Sequence, residues 1–222
     1  SQANDTPRTP QNIIAELRAL LQEANIRPPY VLVGHSIGGR YARVFTAEYP
    51  DEVAGLVLVD AINEDYDAQY PVVTHEAVPF WNYGFALQFG VVRLFGPQLA
   101  VRSDPDFAQM PTEDLRSQMI LMYRSYRAAV ALSEIVNRNQ ADGELYTQGS
   151  LGNLPLSVLV RGRPMPEADR WAAWQVSQQR VAGLSTHGKL VVADGSGPNI
   201  LYAQPDLVIE AIRRVVTEAR LR

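Results

Sequence analysis

Hydrophobic and polar positions alternate along the chain between two periods. From Ile13 the apolar residues Ile14, Leu17, Leu20, Leu21 and Ala24 recur at helical spacing, behind Thr9-Pro10, an N-cap followed by a proline at the first helical position. Pro28-Pro29 stop this helix, and Tyr30 to Val33 is a short apolar run that predicts a strand. A helix is expected from about Gly38 to Tyr49, closed by Pro50. Val53 to Val59 (VAGLVLV) is apolar throughout, the pattern of a strand covered on both faces, and Asp60 ends it. Ser1 to Arg8 is polar and reads as a loose leading segment.

The pattern changes between Ala61 and Leu154. Strand signals vanish and aromatics gather, among them Tyr66, Tyr70, Phe80, Trp81, Phe85 and Phe89. Leu115 to Asn137 is helical, opened by Thr112 with Glu113 and Asp114 in its first turn. Alternation then returns. Leu156 to Arg161 predicts a third strand, Glu167 to Gly183 a helix with Trp171, Trp174 and Val176 inward, and Lys189 to Asp194 a fourth strand. After the turn Gly195-Ser196-Gly197-Pro198, a last helix opens at Gln204-Pro205-Asp206, with Leu207, Val208, Ala211, Ile212, Val215 and Val216 on its buried face. Strands alternating with helices predict an α/β fold, a parallel sheet with helices on both faces. The core is read as 9–61 and 155–222, and 62–154 as a helical insertion.

Composition adds exclusions. The 222 residues are 46% hydrophobic, enough for one substantial core and too many for a disordered chain. A formal charge of −4 offers no electrostatic footprint for nucleic acid. Without cysteine, disulfides and thiolate metal sites are unavailable, and no cofactor signature is present. No stretch reads as a signal peptide or as a span across a bilayer. The location stays unknown on the sequence, with the cytoplasm favoured.

The chemistry concentrates in Tyr30-Val31-Leu32-Val33-Gly34-His35-Ser36-Ile37-Gly38-Gly39-Arg40. A strand, a glycine-bounded turn with a serine at its apex, and a helix start are the context in which a G-x-S-x-G motif carries meaning. Gly34 and Gly38 are expected to be required because a Cβ would crowd the turn. Ser36 would project its hydroxyl at the end of the strand, and the Ile37 N–H would face a developing oxyanion. An ordinary strand–turn–helix with a chance serine is the plainer reading, and the flanking apolar runs argue against it.

On these residues, Tyr30 to Asp60 resembles the centre of an α/β-hydrolase of the esterase, lipase and haloalkane-dehalogenase kind. The resemblance implies a carboxylesterase-like serine hydrolase with a cap at 62–154, acting on a small ester or related acyl substrate with an apolar part, bound in a pocket lined from the Phe80 to Leu99 stretch. It implies a triad in the order Ser, acid, His. Ser36 supplies the nucleophile. For the acid, Asp60 at the end of the second strand is preferred over Glu167 and Asp169 after the third; Asp60 as a cap for the turn that follows it is the alternative.

The base is the departure. Relatives carry a histidine in a run that resembles Ser-Gly-His-Asn-Ile; here the run is Ser196-Gly197-Pro198-Asn199-Ile200. Of the three histidines, His35 lies in the elbow and is expected to point away from Ser36. His187 precedes the fourth strand, at ~3.3 Å per residue roughly 20 Å from the rim. His75 falls in the insertion. Family members also have strands before the leading helix, one of them followed by a loop with a second oxyanion N–H. The expectation here is a four-stranded sheet lacking that donor, with the Tyr30 to Val33 strand at an edge where another chain or a second copy can pair. The resulting picture is a hydrolase impaired by Pro198; a non-catalytic binding or assembly module, or a degenerate fragment, is the alternative.

Overall fold

The computed structural model describes residues 7–70 and 149–222 and, between them, 98, 101–102, 104–111, 113–115, 117 and 134. The predicted helix over 115–137 lies largely outside these residues, and His75 and the aromatics of 80–95 lie wholly outside them.

Helix α1 (Pro10–Glu23) begins as the sequence predicts: the Thr9 hydroxyl accepts a hydrogen bond from the Asn12 N–H at 3.3 Å. Strand β1 (Tyr30–His35) leads through Ser36 into α2 (Ile37–Glu48). Strand β2 (Val53–Val59) is followed by a short helix, α3 (Glu64–Gln69). After the insertion come β3 (Leu156–Arg161), α4 (Ala168–Ala182), β4 (Gly188–Ala193), a single turn α5 (Ile200–Ala203) and α6 (Pro205–Arg220).

The four strands are parallel in the order β1-β2-β3-β4, with β1 at one edge. Successive side chains of a strand face opposite ways, and both faces here are covered. Leu56, Leu58, Leu156, Val158 and Val160 pack with Ile14 of α1, Ala42 and Phe45 of α2, and Val181 of α4. Val57, Val59 and Leu159 pack on the other face with Ile200, Val208, Ala211 and Val215. This two-layer cover explains why β2 and β3 read as unbroken apolar runs. It also aligns the C-terminal ends of all four strands on one rim.

Two local expectations are corrected. β1 extends to His35, because parallel pairing with β2 continues through His35 opposite Val59. In α4, Trp174 is buried but Val176 is 70% exposed. The inward residues are Trp174, Ser177, Gln178, Val181 and Ala182, the 3.6-residue spacing from which Val176 lies on the opposite side.

Candidate active site

The rim is organised by the turn at Ser36. Its backbone has φ 52° and ψ −124°, a conformation rarely occupied by a residue with a Cβ, and its side chain makes no capping bond to α2. Backbone bonds hold the turn against β2: the Ser36 N–H donates to the Val59 carbonyl at 3.0 Å, and the Ser36 carbonyl accepts from Ile62 N–H at 3.1 Å and Gly39 N–H at 3.1 Å. Ile37 is the first residue of α2, where a backbone N–H has no helical acceptor.

The glycines of the turn divide differently from expectation. A Cβ on Gly34 would lie 2.5 Å from the Gly38 carbonyl oxygen and from the Gly39 Cα. A Cβ on Gly39 would lie 2.3 Å from the Ala61 Cβ. A Cβ on Gly38 meets nothing within 4 Å. The close approaches are those of α2 to β1 and to the segment after β2, so Gly34 and Gly39 are the required pair, not Gly34 and Gly38.

Asp60 follows β2 with φ 44° and is buried. Its carboxylate turns toward β3. There Oδ1 accepts from the Arg161 N–H at 3.2 Å and from Nε at 3.1 Å, while Oδ2 accepts from Nε at 2.9 Å and from Nη2. Burial pushes the Asp60 carboxyl above its ordinary range, against the opposing hydrogen bonds and charge of Arg161 and a smaller contribution from His35. The Arg161 guanidinium lies 5.0 Å above the Trp174 ring. The two other candidate acids stand apart from this group. Glu167 and Asp169 are exposed, and Asp169 accepts a hydrogen bond from the Tyr70 hydroxyl at 3.1 Å.

The loop after β4 returns across the rim to the elbow. His35 Nε2 donates to the Pro198 carbonyl at 2.9 Å. Since a carbonyl can only accept, this nitrogen carries a proton and is no acceptor for the serine's. The loop is held from other sides too. Arg163 N–H donates to the Ser196 carbonyl at 2.9 Å, Gln204 Nε2 to Ser196 Oγ at 2.8 Å, and Asn199 Nδ2 to Asp104 Oδ2 at 2.6 Å. Arg163 also binds Asp104, which caps a short helical turn of the insertion, and Asp106 within that turn. His187 directly precedes β4, its carbonyl accepting from Leu156 N–H, at the opposite end of the sheet from Ser36.

A sequence profile of the alpha/beta hydrolase fold matches residues 4–197. The chain belongs to the α/β-hydrolase fold family. Among curated proteins it is 24% identical over 208 residues to the uncharacterized protein YqjL of Bacillus subtilis, covering 92% of this chain and 64% of that one. It is 23% identical over 251 residues to an AB hydrolase superfamily protein of Gibberella zeae, covering 96% and 73%. The chain thus spans a little under two thirds of the Bacillus protein. Solved α/β-hydrolases share the fold. A thermophilic esterase from Thermogutta terrifontis superposes with TM-score 0.66 at 23% identity, covering 98% of this chain and 75% of that one. The epoxide hydrolase CorEH superposes with TM-score 0.67 at 17% identity, covering 100% and 78%.

Within the α/β-hydrolase frame, Ser36 and Asp60 share the rim, and Pro198 is drawn to it by His35. Glu167 and Asp169 are not brought to this group. Arg161 was missed from the sequence, although a signal existed: β2 and β3 are adjacent apolar runs, one followed by Asp60 and the other closed by Arg161. Asp104, Asp106 and Arg163 carried no such signal. Among the described residues no group of three or more His, Asp or Glu is placed to hold a metal ion, and no helix is long and apolar enough to cross a membrane.

Proposed function

We propose that the chain is built as a serine hydrolase acting on an ester or related acyl substrate with an apolar part, and that its turnover is impaired because Pro198 occupies the position of the general base. The observation that carries the reading is the backbone of Ser36. A non-glycine residue at φ 52° and ψ −124° at the end of a parallel strand is costly and is maintained by the closely packed glycines around it. That conformation lifts the hydroxyl off the sheet, beside the free N–H of a helix start.

The chemistry follows from this placement. Ser36 Oγ bonds to the acyl carbon while the Ile37 N–H stabilises the charge on the carbonyl oxygen. Collapse of the tetrahedral intermediate breaks the bond to the leaving alkoxide, and water then releases the acid and restores the serine. The serine's proton must leave as Oγ attacks. A histidine normally takes it and passes it to the leaving group. Proline has no titratable group, and His35 Nε2 is protonated in its bond to the Pro198 carbonyl. Binding and oxyanion stabilisation remain, which support only a small part of a triad's acceleration.

Two observations favour a non-catalytic binding role as the second reading: the His35 ring is engaged by the loop, and the Asp60 carboxylate is engaged by Arg161. Hydrolysis of a short activated ester separates the readings. The chain as it stands is expected to give weak turnover, and Pro198→His to raise it at least tenfold, with the gain abolished by Ser36→Ala. A rate unaffected by either substitution supports the binding module.

A further inference from the structure

The rim contains a second departure from a working triad, at the ends of β2 and β3. We propose that Arg161 is a positioning residue that locks Asp60 onto β3, so that the carboxylate cannot orient an imidazole at position 198 even when one is supplied. This rests on the serine-hydrolase reading above and predicts that restoring the histidine gives only partial recovery.

The geometry supports a lock rather than a passing contact. A carboxylate offers about four lone-pair directions. Three N–H groups of Arg161, the backbone N–H, Nε–H and Nη2–H, make four contacts, two to each Asp60 oxygen, with the single Nε–H shared between the two oxygens. Three of these contacts come from a planar fork that matches a carboxylate, which a neutral imidazole with one N–H cannot outcompete. The fork is itself confined. Arg161 closes β3, which pairs with β2 through Val59 opposite Leu159, and its guanidinium rests over Trp174. Asp60 is anchored from its own backbone as well, donating its N–H to the Leu159 carbonyl at 2.7 Å. Swinging the Arg161 side chain away would leave the Asp60 charge buried without its partner.

The loop is prepared for a base all the same. It is fixed by His35, Arg163, Gln204 and Asn199, and none of those contacts uses the Pro198 side chain. The loop at this point is met by His35 of β1, whose ring bonds the Pro198 carbonyl, and by Arg163, Asp106 and Asp104, which a Cβ on the adjoining Gly197 would approach at 2.8, 3.0 and 3.4 Å; Asp60 and Arg161 stand at the ends of β2 and β3 on the same rim. Exchanging Arg161 alone leaves the others in place.

The test is NMR titration of the full chain carrying Pro198→His, with the new imidazole assigned against the unmodified protein. With Asp60 locked, it titrates near or below the ordinary value of about 6.5 and shows no far-downfield Nδ1–H resonance. Adding Asp60→Asn leaves that absence unchanged. Adding Arg161→Gln, which keeps a donor but removes the charged fork, raises the value by about one unit or more and brings out the far-downfield proton, because Nδ1–H now bonds the carboxylate. Loss of charge at 161 alone would raise the value without the resonance, and that outcome overturns the lock, as does a carboxylate-bound Nδ1–H already present in Pro198→His. Where Arg161→Gln fails to fold, Arg161→Lys serves: one ammonium in place of the fork is expected to give a partial population of the bonded proton, and its absence counts against the lock. Fluorophosphonate labelling in the same variants keeps the two readings apart. A freed Asp60 that binds the imidazole while Ser36 stays unlabelled upholds the lock and overturns the hydrolase.

Discussion

Two arginine–carboxylate systems frame the elbow, and they behave in opposite ways. On one side, α2 is joined to α3 by Arg40–Asp67 at 3.0 Å and by Arg43–Glu64 at 2.6 Å, one helical turn apart. On the other, Asp60 is joined to Arg161 at the rim. For Glu64, burial pushes the carboxyl upward, but the hydrogen bonds and charge of Arg43 together outweigh it, and the group ends below its ordinary value. For Asp60 burial wins and the group ends above its ordinary value. The difference shows that a short ion pair does not by itself identify a stabilising one. On these directions the Arg43–Glu64 pair is expected to favour folding with its charges in place, and the rim pair to hold a carboxylate whose charge burial disfavours.

The largest expected effect breaks the rim itself. Gly34→Ala drives a Cβ into the backbone of Gly38 and Gly39, and a loss of about 3 kcal/mol or more in urea unfolding is expected, since backbone cannot yield as a side chain can. Gly38→Ala, four residues along and open to space, should stay within about 0.5 kcal/mol of the parent.

Next comes the seam. Glu64→Gln leaves Arg43 buried opposite a neutral partner and is expected to cost roughly 3 kcal/mol near neutral pH. Asp60→Asn should cost about 1 kcal/mol, because the charge that burial disfavours is removed and Arg161 is partly exposed. Equal costs would erase the distinction between the two systems.

A smaller effect sharpens the same comparison through pH. Glu64 has a folded pKa below its ordinary 4.5, so its contribution is present above that value and is lost as pH falls through the folded value. Asp60 has a folded pKa above its ordinary 3.8, so the folded state gains from its protonation and loses that gain as pH rises through the folded value. Urea midpoints between about pH 3 and 7 should therefore show the Glu64→Gln deficit shrinking toward acid and the Asp60→Asn deficit growing. The smallest expected effect lies away from both systems: Val176→Ala on the exposed side of α4 should shift stability by less than about 0.5 kcal/mol.

What the sequence made legible was whatever depended on a long pattern. β2 and β3 occupy the predicted spans because sheets covered on both faces demand unbroken apolar runs. α1 and α6 follow from their caps, prolines and helical spacing. The turn at Ser36 was legible because its flanks specify it. What was not legible depended on single side chains meeting across the fold. Arg161 lies 101 residues from Asp60 in the chain, and only the β2–β3 pairing brings them together. Val176 is apolar yet exposed, because two residues on from Trp174 it falls on the opposite side of α4, and apolarity alone does not encode that angle. The exchange of Gly38 for Gly39 arises from where α2 touches Ala61, a contact no local motif encodes.

The most direct measurement is the rate at which a fluorophosphonate labels Ser36, followed by intact mass and peptide mapping. Slow labelling is predicted for the chain as it stands, confined to Ser36 and accelerated at least tenfold by Pro198→His, since on the proposed reading the strained turn presents the hydroxyl and Pro198 supplies no base to take its proton. Rapid labelling of the unmodified chain, lost on His75→Ala, would contradict this and place the base in the insertion.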